Sequence, residues 1–160
     1  MGDTKGAENM LDLNHMERYR EGNRLEAKLA TGGLPHSIWE TYSAFANTYG
    51  GVILLGVEEL PDHSLRVQGL LDPQELVEQF CTLLSDPKVV SVNLLKEEDI
   101  QILHVDGGDI VAIFVPMAER DQLPVYIGGD LVRGSYRRSG DGDYHCTQAE
   151  RNAMLSGRSH

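Results

Sequence analysis

The chain has 160 residues, a mass of 17.7 kDa, 41% hydrophobic and 24% charged residues, the profile of one globular domain and not of a disordered or membrane-embedded segment. Lys and Arg number 14 against 25 Asp and Glu, a net charge of −11, which excludes a basic coat that grips any polyanion: nucleic-acid contact needs a local cationic patch or metal ions. Two cysteines, Cys81 and Cys146, make neither a disulfide framework nor a four-ligand zinc site, and no apolar run nears the roughly 20 residues of a membrane span, so a cytoplasmic protein with no membrane partner is expected.

Residues 1–16 read as a polar leader without the apolar core of a signal peptide, and a short polar helix is expected over 10–20. Over 24–30, Leu25, Ala27 and Leu29 alternate with Arg24, Glu26 and Lys28, the period of a half-buried strand. Gly32-Gly33 breaks the chain, and Pro35 opens a helix over 35–48 whose Ile38, Trp39, Tyr42, Phe45 and Ala46 share one face. Gly50-Gly51 ends it. Residues 52–57 then form a continuous apolar strand buried on both faces, with Glu58 and Glu59 at its exit.

A hairpin turn at 61–64 leads into a strand over 65–69. Asp72, Pro73 and Glu75 have the spacing of an N-cap, a first helical residue and a capping-box acid, for a helix reaching Leu84. Strands are expected at 89–94, 99–105 and 109–116, the last two joined by Asp106-Gly107-Gly108, and shorter ones at 125–127 and 132–137. Thr147 and Glu150 box the start of a final helix to Leu155, leaving 156–160 as a tail. The sum is a single α+β domain over 17–155, with a mixed β-sheet and about three helices.

Two groups of residues carry chemistry. Glu26 and Lys28, two apart on a strand, project from the same face, Glu21 five residues earlier is close enough to join it, and Glu58 and Glu59 leave the buried strand at its carboxyl end, where open α/β sheets tend to place ligands. Two carboxylates about 5 Å apart repel by roughly 3 kcal/mol at an effective dielectric of about 20, so such a cluster needs a cation, a shared proton or Lys28. Divalent-metal phosphodiester chemistry uses this combination, and ordinary solvated acids at strand ends account for the same residues. The second group is Arg133, Arg137 and Arg138 around Tyr136, either a phosphate-binding patch with a stacking ring or a counterweight to the domain's own carboxylates. No G-x-x-x-x-G-K-[ST] or G-x-G-x-x-G sequence occurs, and His15, His36, His63, His104 and His145 fall in no zinc-binding spacing. Gly50-Gly51 reads as a tight helix-to-strand turn or as a place where a phosphate backbone approaches closely.

The segments LEAK (25–28), SAFANTYGGVILLGVEE (43–59), VQGL (67–70), GGDIVAIFVPMAER (107–120), LPVYI (123–127) and GSYRRSG (134–140) together resemble the Schlafen AlbA-like domain family over about residues 20–154. The resemblance implies an α+β nucleic-acid-binding module, binding DNA or RNA without a cofactor, of the kind found at the amino end of prokaryotic transcriptional regulators. On that reading Lys28, Arg133, Arg137 and Arg138 contact phosphates and Tyr136 stacks on a base. A ribonuclease branch of the family cleaves structured RNA with three carboxylates and a divalent metal. Its pattern falls on Glu21, Glu26 and Glu59 as ligands of Mg or Mn, with Lys28 as the lysine. That branch encloses RNA between two lobes, where this chain has one; a homodimer could supply the second.

Overall fold

A computed structural model describes residues 15–157; the leader over 1–14, the first part of the helix expected at 10–20, and the tail over 158–160 lie outside them. Of that first helix the described part is one 3-10 turn, Met16–Arg18, whose Met16 is buried. Alternation then produces β1 (Leu25–Lys28), which pairs in parallel with β2 (Gly51–Leu55). β2 pairs antiparallel with β6 (Gly108–Val115), and β6 antiparallel with β5 (Ile100–Val105), giving one mixed sheet of order β1-β2-β6-β5. With the helices this is an α+β domain.

The apolar run of β2 is buried on both faces because two layers cover the sheet. On one side Ile53, Leu55, Val111 and Ile113 meet α1 (Ile38–Asn47) and α2 (Pro73–Leu84) through Tyr42, Phe45, Leu76 and Phe80. Trp39 of α1 stacks on Phe80 of α2 with ring centroids 5.0 Å apart. On the other side Leu54, Ile110 and Ala112 meet Met16, Val57 and Leu65. Asp72 caps α2 as its sequence implies, accepting from the Glu75 N–H at 3.1 Å.

Several expected elements differ, each for a physical reason. α1 begins at Ile38 and not at Pro35, which lies in the preceding turn. The continuous strand expected over 52–57 is broken at Gly56, whose φ of +90° swings the chain out of the sheet into β3 (Val57–Glu59), paired with β4 (Leu65–Val67). Residues 89–94 form no strand beyond a single bridge from Val90 to Ile127. Their backbone bonds instead to Asp86, to residues 126 and 128, and to the buried Tyr42 hydroxyl, which donates to the Val92 carbonyl at 3.0 Å and accepts from the Leu94 N–H at 2.8 Å. Residues 125–127 likewise make only isolated bridges.

The strand expected over 132–137 is instead one helical turn, α3 (Leu131–Gly134), followed by β7 (Tyr136–Ser139). Asp130 causes the turn by accepting from the N–H groups of Val132 and Arg133, both at 3.1 Å. β7 pairs with β8 (Gly142–His145) as a hairpin, and α4 (Gln148–Gly157) follows with the Thr147 hydroxyl accepting from the Glu150 N–H at 3.1 Å. Among the described residues no helix is long and apolar enough to cross a membrane.

Candidate functional site

Three elements converge at one edge of the sheet. Glu21 precedes β1 and turns back so that its Oε2 accepts the Ala27 N–H at 3.0 Å. Glu59 ends β3, and Asp141 sits in the turn between β7 and β8. One carboxylate oxygen from each of these three lies within 4.8 Å of the others. Glu26 stands beside Glu21. Burial pushes the Glu21 carboxyl up to about 7; the Ala27 N–H opposes this, and the charges of Glu26 and Glu59 reinforce it. Like charges at this separation repel by about 3 kcal/mol at an effective dielectric of about 20, so the cluster holds a proton near neutral pH when no cation is present. Three carboxylates so placed are the donor type that a hard divalent ion takes, with oxygens at about 2.1 Å. Glu58, the neighbour of Glu59, points elsewhere and pairs with Arg66.

The structure thus brings together Glu21, Glu26 and Glu59, but gives them different settings. Glu26 is tied to Arg138, whose Nη1 lies 2.8 Å from its Oε1, and to Lys28, whose Nζ lies 3.7 Å from its Oε2. Asp141, absent from the expected set, completes the open side of the cluster. Its signal in the sequence was only a turn of the form Ser139-Gly140-Asp141-Gly142. Lys28 also donates to Ser37 Oγ at 3.1 Å, which leaves its side chain only 11% exposed.

The expected basic patch divides in the same way. Arg138 does not belong to it: its side chain is 0% exposed, and it donates to Asp143 at 2.7 Å and to the carbonyls of Gly22 and Leu25 at 3.0 and 3.2 Å. The guanidinium also lies 4.9 Å from the centre of the Phe45 ring, so this arginine is a strut and not a surface ligand for phosphate. Tyr136, expected to stack on a base, already stacks on His145 with centroids 4.5 Å apart. Arg137 lies on the opposite face of the hairpin, 3.2 Å from Glu150 and 5.3 Å from the centre of the Tyr144 ring. Arg133 is exposed on α3.

The hairpin owes its position to α1. Ser43 Oγ donates to the Val125 carbonyl at 2.7 Å and accepts from the Tyr136 N–H at 3.0 Å. The Asn47 amide donates to the carbonyls of Val125 and Tyr136, both at 2.9 Å, and accepts from the Val125 N–H at 2.7 Å. The Gly50-Gly51 pair proves structural. A Cβ on Gly50 would fall 2.8 Å from the Val115 carbonyl, and one on Gly51 2.8 Å from the Phe45 ring, so packing and not a phosphate backbone fills both spaces.

The family model for the Schlafen, AlbA_2 domain matches residues 21–147, a span that runs from Glu21 past Asp141. The N-terminal domain of a RecG-related protein from Nitrosomonas europaea, solved in solution, is 27% identical with a TM-score of 0.54, covering 91% of this chain and 92% of that one. The DIP2311 protein of Corynebacterium diphtheriae is 19% identical with a TM-score of 0.53, a likeness of fold that spans 86% of this chain and 24% of the other. No curated protein matches the chain.

Proposed function

The chain belongs to the Schlafen AlbA_2 family, and from that premise we propose that it is a nucleic-acid-binding domain of a cytoplasmic transcriptional regulator. The observation that carries this reading is the double use of one hairpin. β7–β8 holds Arg137 on its outer face, follows directly on the turn that exposes Arg133, and delivers Asp141 to the carboxylate cluster. In a chain of net charge −11, a phosphate backbone approaches only where cations stand forward or where a metal ion neutralises the acids. This edge has the first and the ligands for the second. The Nitrosomonas relative is the N-terminal domain of a protein named for a DNA helicase, which agrees with a nucleic-acid setting.

A second reading, metal-dependent cleavage of structured RNA, is favoured by the convergence of Glu21, Glu59 and Asp141. Mg²⁺ or Mn²⁺ held there would polarise a phosphate and activate water. Lys28, beside Glu26, would steady the developing charge, and Glu26 would orient Glu21.

One experiment separates the two: labelled structured RNA and duplex DNA incubated with the protein in Mn²⁺ or EDTA. Glu59→Gln and Asp141→Asn serve as controls, because both residues are exposed, whereas removing Glu26 takes away one of the two carboxylates that pair with the buried Arg138. Retarded but intact nucleic acid is the expected result. Metal-dependent cleavage lost in both variants would make the second reading the right one, and absence of retardation and cleavage at low salt would defeat both.

A further inference from the structure

Pairing in the hairpin sets Tyr136 opposite His145 and Arg137 opposite Tyr144, and strand alternation sends these pairs to opposite faces. The inner pair is occupied by its own stack and by the backbone bonds from Ser43 and Asn47. In the outer pair Tyr144 is 51% exposed and Arg137 half-buried. Its ring lies back along the strand over Gly142, where a Cβ would fall 2.8 Å from the hydroxyl oxygen and 2.9 Å from Cε2. A side chain at 142 would displace the hydroxyl end of the ring. Across the ladder the Arg137 guanidinium stands 5.3 Å from the ring centre, and Glu150 at 3.2 Å anchors that arginine. An exposed tyrosine alone is commonplace. This one has the Arg137 guanidinium over its ring and its hydroxyl end in the space a glycine leaves, on the hairpin that also supplies Asp141 to the cluster.

We propose that the outer face of the β7–β8 hairpin reads unpaired nucleic acid, with the Tyr144 ring as the stacking surface for one base and Arg137 beside it. The proposal rests on the reading that the chain binds nucleic acid, and adds the class of ligand: a strand whose bases are free to unstack, not a duplex. Every base has a π-face, so such a platform is tolerant of sequence, while bases in a duplex are already covered by their neighbours. Asp141 lies three residues along the chain from Tyr144, about 10 Å in an extended strand. A base on Tyr144 therefore brings the adjoining backbone towards the carboxylate cluster, and Arg133 on the preceding turn supplies charge for the phosphates.

The test is fluorescence anisotropy in EDTA with labelled 12-nucleotide single strands of DNA and RNA, the same single strands carrying abasic sites, and a duplex of equal length. For Tyr144→Ala, single-strand affinity is expected to fall by about 5-fold to 150-fold with duplex affinity unchanged, and Tyr144→Trp to retain wild-type binding. The abasic strand should bind the wild-type protein with a similar loss, a readout that does not depend on the variant folding. Wild-type binding that Tyr144→Ala and abasic sites leave untouched would overturn the platform while the binding reading stands. An equal loss on single strand and duplex would overturn it too, because phosphate contact would then explain the effect. No binding of any probe by the wild-type protein would overturn both.

Discussion

Arg138 Nη1 lies 2.8 Å from Glu26 Oε1, and this contact ties β1 to the β7–β8 hairpin through side chains that water scarcely reaches. The same nitrogen holds Asp143 at 2.7 Å, and the Thr41 hydroxyl donates to the other oxygen of Asp143 at 2.7 Å. The candidate site is therefore built on an internal ion pair network, with α1 below it and the carboxylate cluster beside it. Arg138→Ala leaves the partly buried Asp143 without its countercharge and Glu26 with Lys28 alone, and is expected to cost about 3–5 kcal/mol of stability. Arg138→Lys keeps the charge but not the planar fork that reaches the Gly22 and Leu25 carbonyls, so it should fall between the two. Urea unfolding midpoints measure both, and an alanine variant as stable as wild type would contradict the network's role.

The Glu21 carboxyl, raised from 4.5 to about 7, makes stability depend on pH in a direction opposite to that of a salt-bridged acid. Below about pH 4.5 the group is protonated in both folded and unfolded chains and costs nothing. Between 4.5 and 7 the unfolded chain ionises while the folded one holds its proton, so this residue's contribution falls as pH rises. Glu21→Gln removes the effect and keeps an oxygen to accept from the Ala27 N–H. The variant should match wild type at pH 4 and melt higher at pH 8 in EDTA. Equal melting temperatures at pH 8 would show that the carboxyl is not held neutral.

Much of the fold was legible because local pattern and tertiary setting agree. The helical face of α1 and the Asp72-Pro73 start of α2 each point to one solution, and in 24–30, whose composition suits helix or strand, the alternation favours the strand that β1 forms. Residues 89–94 misled because a run of β-branched and apolar residues is the same whether its backbone bonds to another strand or to a side chain, and here the Tyr42 hydroxyl takes that place. At the site, the acids at 21, 26 and 59 stood out through their spacing and a family resemblance. Asp141 did not, because it reaches the cluster only when the hairpin folds back. Arg138 takes the counterweight role, paired with Glu26 and Asp143, and one arginine among three in a short stretch carries no mark that it alone points inward. Alternation from Tyr136 through Arg138 could have assigned Arg137 and Arg138 to opposite faces, but not which face was the interior.

A divalent cation bound by Glu21, Glu59 and Asp141 would bind the folded state alone and raise its melting temperature. At 100 times its dissociation constant the added stability is about 2.7 kcal/mol. The shift with Mn²⁺ should shrink below pH 7, where Glu21 keeps its proton and the ion must displace it. Glu59→Gln and Asp141→Asn should abolish the shift while melting within a few degrees of wild type without metal. Thermal melts with and without 1–10 mM Mn²⁺, on the order of typical weak-site occupancy, decide this. A shift that survives both substitutions would place the ion elsewhere.

Salt dependence separates the arginines that touch phosphate from the one that holds the fold. Each neutralised phosphate adds about 0.9 to the slope of log K against log salt on duplex, and about 0.7 on single strands. Arg133 is exposed on α3, held there because Asp130 caps the turn and a side chain at Gly134 would run into the Ile127 carbonyl. Arg133→Gln should therefore lower that slope by nearly one contact with no change in melting temperature. Arg137→Gln releases Glu150 as well, so part of its effect is an added negative charge, and its loss of affinity should exceed the loss of slope. Arg138→Lys, with its guanidinium site shut off from solvent, should leave the slope unchanged at temperatures where the variant is folded. Equal slopes for wild type and the Arg133 variant would remove α3 from the interface and leave the outer face of the hairpin as the contact surface.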